Sequence, residues 1–162
     1  GDPMDFRKEI EFHAPMSEVF ALFCDSDFRE RVAAEAGAES WEIDLAPTGD
    51  DGVIATMITR RSAEELPAAA RKIIGKQLTI NQVETWTSPV GGTLEVTIPG
   101  APGHIKGTVA LAERDGLTVQ TVTADIKVRV PLVGKQFEKL IGQILGNILK
   151  LQGRIANEDL AD

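Results

Sequence analysis

The chain is poor in the residue types that most often fill a protein core or carry covalent chemistry. It has one cysteine, two histidines, six phenylalanines, two tryptophans and no tyrosine among 162 residues. A single cysteine excludes an internal disulfide and is typical of a reducing compartment. No signal-peptide pattern opens the chain, and no apolar run reaches the ~18 residues of a membrane-spanning helix. We therefore expect a cytoplasmic protein.

Positive charge is also scarce, because 17 basic residues stand against 25 acidic ones and the net charge is −8. Such a chain repels a phosphate backbone, so nucleic acid is not an expected partner. His13 and His104 lack the spacing to another histidine, a cysteine or a carboxylate that a metal site needs. Neither a metal nor a cofactor is expected. Cys24 follows Phe23 in an apolar helix, where a free cysteine is typically buried as a small hydrophobic side chain.

The length of the chain is typical of one domain. Gly1 to Pro3 precede Met4 and are expected to be the remnant of a tag. The expected single domain therefore covers residues 4–162.

The C-terminal part of the chain predicts a strand followed by one long helix. Apolar residues alternate with polar ones from Thr121 to Val130, which is the pattern of a strand with one buried face, and Pro131 ends it. From Val133 onward, apolar residues recur at helical spacing for about 20 residues, or ~30 Å. Lys135, Glu138, Lys139, Lys150 and Arg154 are expected on the rim of this helix, and Gly142, Gly146 and Gly153 where its backbone approaches another element.

The preceding sequence predicts a first strand over Phe6–Phe12, two short helices and then about six strands joined by turns. Pro15 is suited to the start of the first helix. Asp27 and Glu30 resemble a capping box for the second helix, which Gly37 ends. Asp115-Gly116 is a strong hairpin signal before the last strand. Consecutive strands joined by tight turns favour an antiparallel sheet.

Two stretches resemble a known superfamily. The first is the strand that leads into His13-Ala14-Pro15-Met16-Ser17-Glu18-Val19-Phe20, and the second is Lys127-Val128-Arg129-Val130-Pro131-Leu132-Val133-Gly134-Lys135 before the long helix. They resemble the START-like helix-grip superfamily of polyketide cyclase/dehydrase and lipid-transport proteins, in an uncharacterised actinobacterial branch of unknown function. The resemblance implies an α+β helix-grip fold, in which a seven-stranded antiparallel sheet curls around the C-terminal helix. It also implies an apolar cavity between the two.

The composition supports such a cavity, because large aromatic side chains are scarce and the apolar faces of the helix and the strands oppose each other. The partner expected is a small hydrophobic ligand: a lipid, an isoprenoid or a polyketide-like molecule. The residues expected to contact it are Trp41, Ile43, Met57, Trp86, Leu94, Val96, Ile98, Ile105, Val109, Phe137, Leu140, Ile141, Ile144 and Leu145.

No constellation of residues identifies an enzyme, but Glu84 and His104 are candidates for catalysis. Glu84 shares strand parity with Trp86. If that face is buried, desolvation would raise the pKa of Glu84 and suit it to acid–base chemistry; if the face is exposed, Glu84 is solvated. His104 follows a Pro/Gly loop that could border the cavity. A cyclase or dehydratase acting in the cavity is therefore the alternative to a ligand carrier.

Residues 62–76 do not fit a strand and predict a short helix or lid. Two interpretations remain open for this basic and apolar segment: transient contact with a membrane or a protein, or a solvated surface helix. A second functional alternative is thus a protein-interaction module.

Overall fold

The computed structural model describes residues 2–161 and has the predicted α+β helix-grip architecture. Seven strands form one antiparallel sheet in the order β1-β7-β6-β5-β4-β3-β2. The elements in chain order are β1 (Met4–Phe12), α1 (Met16–Phe23), α2 (Ser26–Glu35), β2 (Ser40–Thr48), β3 (Gly52–Ser62), α3 (Ala68–Ile74), β4 (Gln77–Ser88), β5 (Gly91–Thr97), β6 (Gly103–Arg114), β7 (Leu117–Val128) and α4 (Gly134–Leu160).

The sheet buries one face because apolar residues occupy every second position of its strands. On β7 the predicted stripe is confirmed: Val122 and Ile126 are fully buried, and Ala124 is nearly so. The pairing of β1 with β7, with Phe6 opposite Ala124, brings the two ends of the chain together. Helix α4 then packs across the concave face against these two strands.

Helix α4 has 27 residues and is longer than the ~20 predicted, because polar side chains attach its last turns to the rest of the fold. The amide of Asn157 donates to the carbonyl of Glu11 and accepts from the backbone N–H of His13. Arg31 on α2 forms ion pairs with Glu158 and Asp159. An apolar periodicity does not reveal a helix end that is held by polar contacts.

Three local expectations were wrong. The N-cap of α2 is Asp25, whose carboxylate accepts from the backbone N–H of Asp27 at 2.9 Å, so the predicted capping box of Asp27 and Glu30 does not form. Cys24 is exposed rather than buried, because it caps the C-terminus of α1 where the chain turns. Glu138 is buried rather than on the rim of α4.

The glycines of α4 give a matched pair of predictions. A methyl group at Gly146 would have only Phe6 nearby, at 3.8 Å, so Gly146→Ala should raise the free energy of unfolding by up to about 1 kcal/mol through helix propensity. At Gly153 the same methyl would clash with Cγ2 of Ile10, a branched side chain in the core. Gly153→Ala should therefore destabilise. Urea denaturation of both variants measures this, and equal effects would contradict the close approach of α4 to β1 at Gly153.

Candidate functional site

Two adjoining cavities lie between the concave face of the sheet and α4. The larger has a free volume of about 140 Å³ and lies beside the first half of α4, under α3. The smaller, of about 90 Å³, lies between α2, the middle of the sheet and the second half of α4. Ile80, Gln82, Leu145 and Ile148 belong to the walls of both. The two cavities therefore adjoin along these four side chains.

The wall of the larger cavity is almost entirely apolar, and it contains eight of the fourteen residues that the sequence suggested for ligand contact. These are Val96, Ile98, Ile105, Phe137, Leu140, Ile141, Ile144 and Leu145. Three more of the fourteen line the smaller cavity: Met57, Leu94 and Val109.

Trp41, Ile43 and Trp86 line neither cavity. Strand β2, which carries Trp41 and Ile43, lies at the edge of the sheet against α2. Trp86 is fully buried in an aromatic cluster, with its ring centroid 5.5 Å from that of Phe23 and 5.7 Å from that of Phe20. Alternation places a side chain on the inner face of a sheet, but it does not reveal which helix covers that position.

Residues 62–76 contain the predicted short helix, α3 (Ala68–Ile74), which closes one side of the larger cavity. Ala70, Ile73 and Ile74 face the cavity from α3, and Leu66 does so from the turn before it. Arg71 stabilises that turn by donating to the carbonyls of Glu64 and Leu66. These apolar residues were not among the predicted ligand contacts, although their position in a predicted lid was a usable signal.

The larger cavity is also lined where the loop before β6 enters that strand and where β7 leads into the turn before α4; we call these two places, together with α3, its mouth. Pro102 lies in the loop and His104 at the start of β6, while Val128 is the last residue of β7 and Val130 lies in the turn. Of the two catalytic candidates, His104 therefore lies in the wall of the larger cavity. His13 is exposed and lies 3.7 Å from the carboxylate of Glu11.

Glu138, on α4, binds the end of β7 at this mouth. The backbone N–H of Val128, at the end of β7, donates to its carboxylate at 2.9 Å, and Lys135 lies 3.2 Å from its second oxygen. Although burial alone would raise the pKa of Glu138, the Val128 hydrogen bond and the nearby lysine charge lower it below its ordinary value. Glu138 therefore stays ionised as it connects β7 to α4.

The second catalytic candidate, Glu84, lies inside the protein in an ion pair with Arg29 of α2. The two guanidinium Nη atoms of Arg29 donate to both carboxylate oxygens, at 3.0 and 3.2 Å. Trp86 Nε1 and Gln82 Nε2 donate to the same oxygens at 2.9 and 2.6 Å. Arg29 Nε donates to the carbonyl of Phe23 at 2.7 Å. Four donors thus occupy the carboxylate, and the two from Arg29 hold α2 against the sheet.

The expectation that burial would raise the pKa of Glu84 was wrong. Desolvation does act in that direction, but the charge and hydrogen bonds of Arg29, together with the donors on Trp86 and Gln82, lower the pKa below its ordinary value. The cation comes from a helix 55 positions earlier in the chain, so strand parity alone did not reveal it. Glu84 is consequently held as a carboxylate, which is a poor state for a proton donor.

Arg61 is a second cation at the smaller cavity, and no ion pair involves it among residues 2–161. Its Nη1 donates to the carbonyl of Ala36 at 2.6 Å, where α2 ends. Its Nε is buried without a hydrogen-bond partner in the described part of the chain. Burial lowers the pKa of Arg61. Gln120 and Gln152, whose amides lie 3.5 Å apart, add polar groups to the same cavity.

No helix within residues 2–161 is long and apolar enough to cross a lipid bilayer.

Comparison with known proteins agrees with this fold. Residues 7–160 match the model of a family described as protein of unknown function (DUF2505). An uncharacterized protein of Mycobacterium tuberculosis is 26% identical over 163 residues, which cover 94% of each chain.

Two crystal structures are similar in fold at low identity. The Zhui aromatase/cyclase from a Streptomyces species has a TM-score of 0.60 at 12% identity, with 94% of this chain and 93% of that chain covered. Ara h 8.0201 has a TM-score of 0.59 at 13% identity, with 94% and 97% covered.

Proposed function

The chain belongs to the DUF2505 family, and we propose that it binds a small hydrophobic ligand in the larger cavity. The observation that carries this proposal is the wall of that cavity, in which apolar side chains of α3, the sheet and α4 surround free volume. Burial of a ligand's apolar surface there supplies affinity without any specific polar contact. A protein-interaction module would be expected to have a filled interior, and the two cavities do not support that alternative.

The smaller cavity favours a ligand with one polar or acidic end. The apolar part of such a ligand would occupy the larger cavity, and its polar end would pass Gln82 toward Arg61. The unpartnered Nε of Arg61 is a charged donor in a partly desolvated position, where a carboxylate or carbonyl oxygen would satisfy it. A fatty acid has this combination of features, and so does an oxygenated isoprenoid or polyketide chain.

The experiment that tests binding begins with native mass spectrometry of the purified protein, before and after extraction with organic solvent. The extracted protein is then titrated with dodecanoate, dodecanol and a fused-ring aromatic acid while its Tm is followed. We expect a 1:1 complex and a rise in Tm, since a ligand present at 100 times its Kd stabilises by about 2.7 kcal/mol. Absence of both a co-purified ligand and any shift across the panel would refute the proposal.

A cyclase-type reaction in the same cavity is the second candidate, and the position of His104 favours it. The imidazole lies in the apolar wall, where it could exchange a proton with a folded substrate chain, and a solved structure of similar fold is described as an aromatase/cyclase. The test is turnover of a poly-β-keto substrate mimic by wild-type protein and by His104→Ala and Glu84→Gln. Equal rates for wild-type and His104→Ala would rule out this role for His104.

A further inference from the structure

Two exposed hydrophobic side chains lie in segments that border the larger cavity. Within residues 2–161, the large apolar side chains that are exposed are Ile73, Val90 and Leu132, at 36%, 59% and 102% of full exposure. Ile73 is on α3, and Leu132 is in the turn between β7 and α4, two residues after Val130 of the cavity wall. Val90 lies in the β4–β5 turn, at the opposite end of the sheet. Two of the three therefore flank the mouth.

The backbone at Leu132 is unfavourable for the residue that occupies it. Its φ angle is +73°, in the left-handed region where glycine is the ordinary choice and a side chain with a Cβ atom adds strain. The side chain is fully exposed and so recovers nothing by packing. Folding alone therefore does not account for a leucine here.

The same two segments carry an excess of positive charge. Residues 127–139 contain four basic residues and one acidic residue, and that acid, Glu138, is buried. Residues 62–76 contain three basic and two acidic residues. The chain as a whole has a net charge of −8, so the mouth is locally opposite in sign to the rest of the protein. Exposed apolar side chains among basic residues are the composition of a surface that binds anionic lipid.

We propose that the mouth of the larger cavity docks on an anionic lipid bilayer, with Leu132 and Ile73 inserted between the headgroups. Lys72 and Lys76, near Ile73 in the chain, and Arg129 and Lys139, near Leu132, are all exposed and would contact the lipid phosphates. Docking places the cavity opening against the hydrocarbon region, so that a hydrophobic ligand passes between membrane and protein without crossing water. The passage of a ligand from the membrane into the cavity rests on the proposed ligand binding, whereas the docking itself does not.

Co-sedimentation with lipid vesicles tests the proposal. Wild-type protein should bind vesicles of equal parts phosphatidylglycerol and phosphatidylcholine, and binding should fall at least tenfold in 0.5 M NaCl or on phosphatidylcholine alone. Leu132→Asp should reduce binding at least tenfold. Leu132→Gly should also reduce it while leaving Tm equal to or above that of wild type, because glycine accepts the left-handed backbone. Val90→Asp, which places the same charge at the other end of the sheet, is the matched control and should bind as wild type.

Dodecanoate titration of Leu132→Asp in the absence of vesicles separates the two proposals, because its affinity for dodecanoate should equal that of wild type. Loss of vesicle binding with retained dodecanoate binding supports docking. Wild-type protein that does not sediment with anionic vesicles refutes docking, whatever the outcome for the ligand. Equal losses in Leu132→Asp and Val90→Asp would also refute it, since the apolar contact would then not lie at the mouth.

Discussion

Replacement of Arg29 by methionine should lower the free energy of unfolding by about 3–5 kcal/mol. The guanidinium and its carboxylate partner Glu84 are 4% and 9% exposed. Removal of the cation leaves the carboxylate inside the protein with only the neutral donors of Trp86 and Gln82. It also removes the hydrogen bond from α2 to the carbonyl of Phe23. Urea denaturation followed by circular dichroism measures the loss.

The double variant Arg29→Met/Glu84→Leu separates the charge effect from the packing effect. If an unpaired buried charge causes the loss, the double variant should recover most of it, because two apolar side chains of similar volume replace the pair. Arg31→Met is the control: its partners Glu158 and Asp159 are half-exposed, so it should cost no more than about 1 kcal/mol. A double variant as unstable as Arg29→Met would show that the buried charge is not the cause.

Replacement of Ile144 by tryptophan should weaken binding of dodecanoate at least 100-fold. Ile144 lies on α4, is half-buried and borders the larger cavity, so the added indole volume enters space that the ligand would use. The fold should tolerate the change, with a free energy of unfolding within about 1.5 kcal/mol of wild type, because the side chain fills free volume rather than a packed core. Fluorescence displacement measures affinity, and urea denaturation measures stability.

Ile54→Trp is the matched control for this variant. Ile54 lies on β3 between the buried residues Val53 and Ala55, so its side chain points to the convex face of the sheet. The same substitution there should leave the affinity for dodecanoate unchanged. An Ile144→Trp variant that binds as tightly as Ile54→Trp would place the ligand outside the larger cavity.

The resemblance to the helix-grip superfamily implied the arrangement of the fold, and alternation and helical periodicity predicted its elements. They located the buried stripe of β7, the break at Pro131 and the long amphipathic helix that follows, and these patterns report directly which residues leave water. These patterns did not identify the polar groups that are buried because they bind partners distant in sequence. Glu138 has a charged side chain at a helix start, and only the folded chain brings the Val128 backbone N–H to it.

The candidate site was predictable where one strand and one helix face each other, and less so elsewhere. Phe137, Ile141 and Ile144 follow from the apolar face of α4. The polar residues of the smaller cavity could not be predicted in this way. Arg29 lies in a short helix with few apolar residues, and no local pattern shows that the Arg29 side chain points inward. The same holds for Arg61, which lies near the end of β3 and donates to the carbonyl of Ala36, 25 positions earlier in the chain.

Methyl NMR of isoleucine-labelled protein can establish whether a ligand lies between α4 and the sheet. On titration with dodecanoate, the δ1 methyls of Ile98, Ile105 and Ile144 should shift and show intermolecular NOEs to the acyl chain. The chemical shifts of the δ1 methyls of Ile10 and Ile155, which are buried in the core away from both cavities, should not change. Shifts confined to Ile54 on the convex face, with no NOE from the cavity methyls, would show that the ligand does not bind between α4 and the sheet.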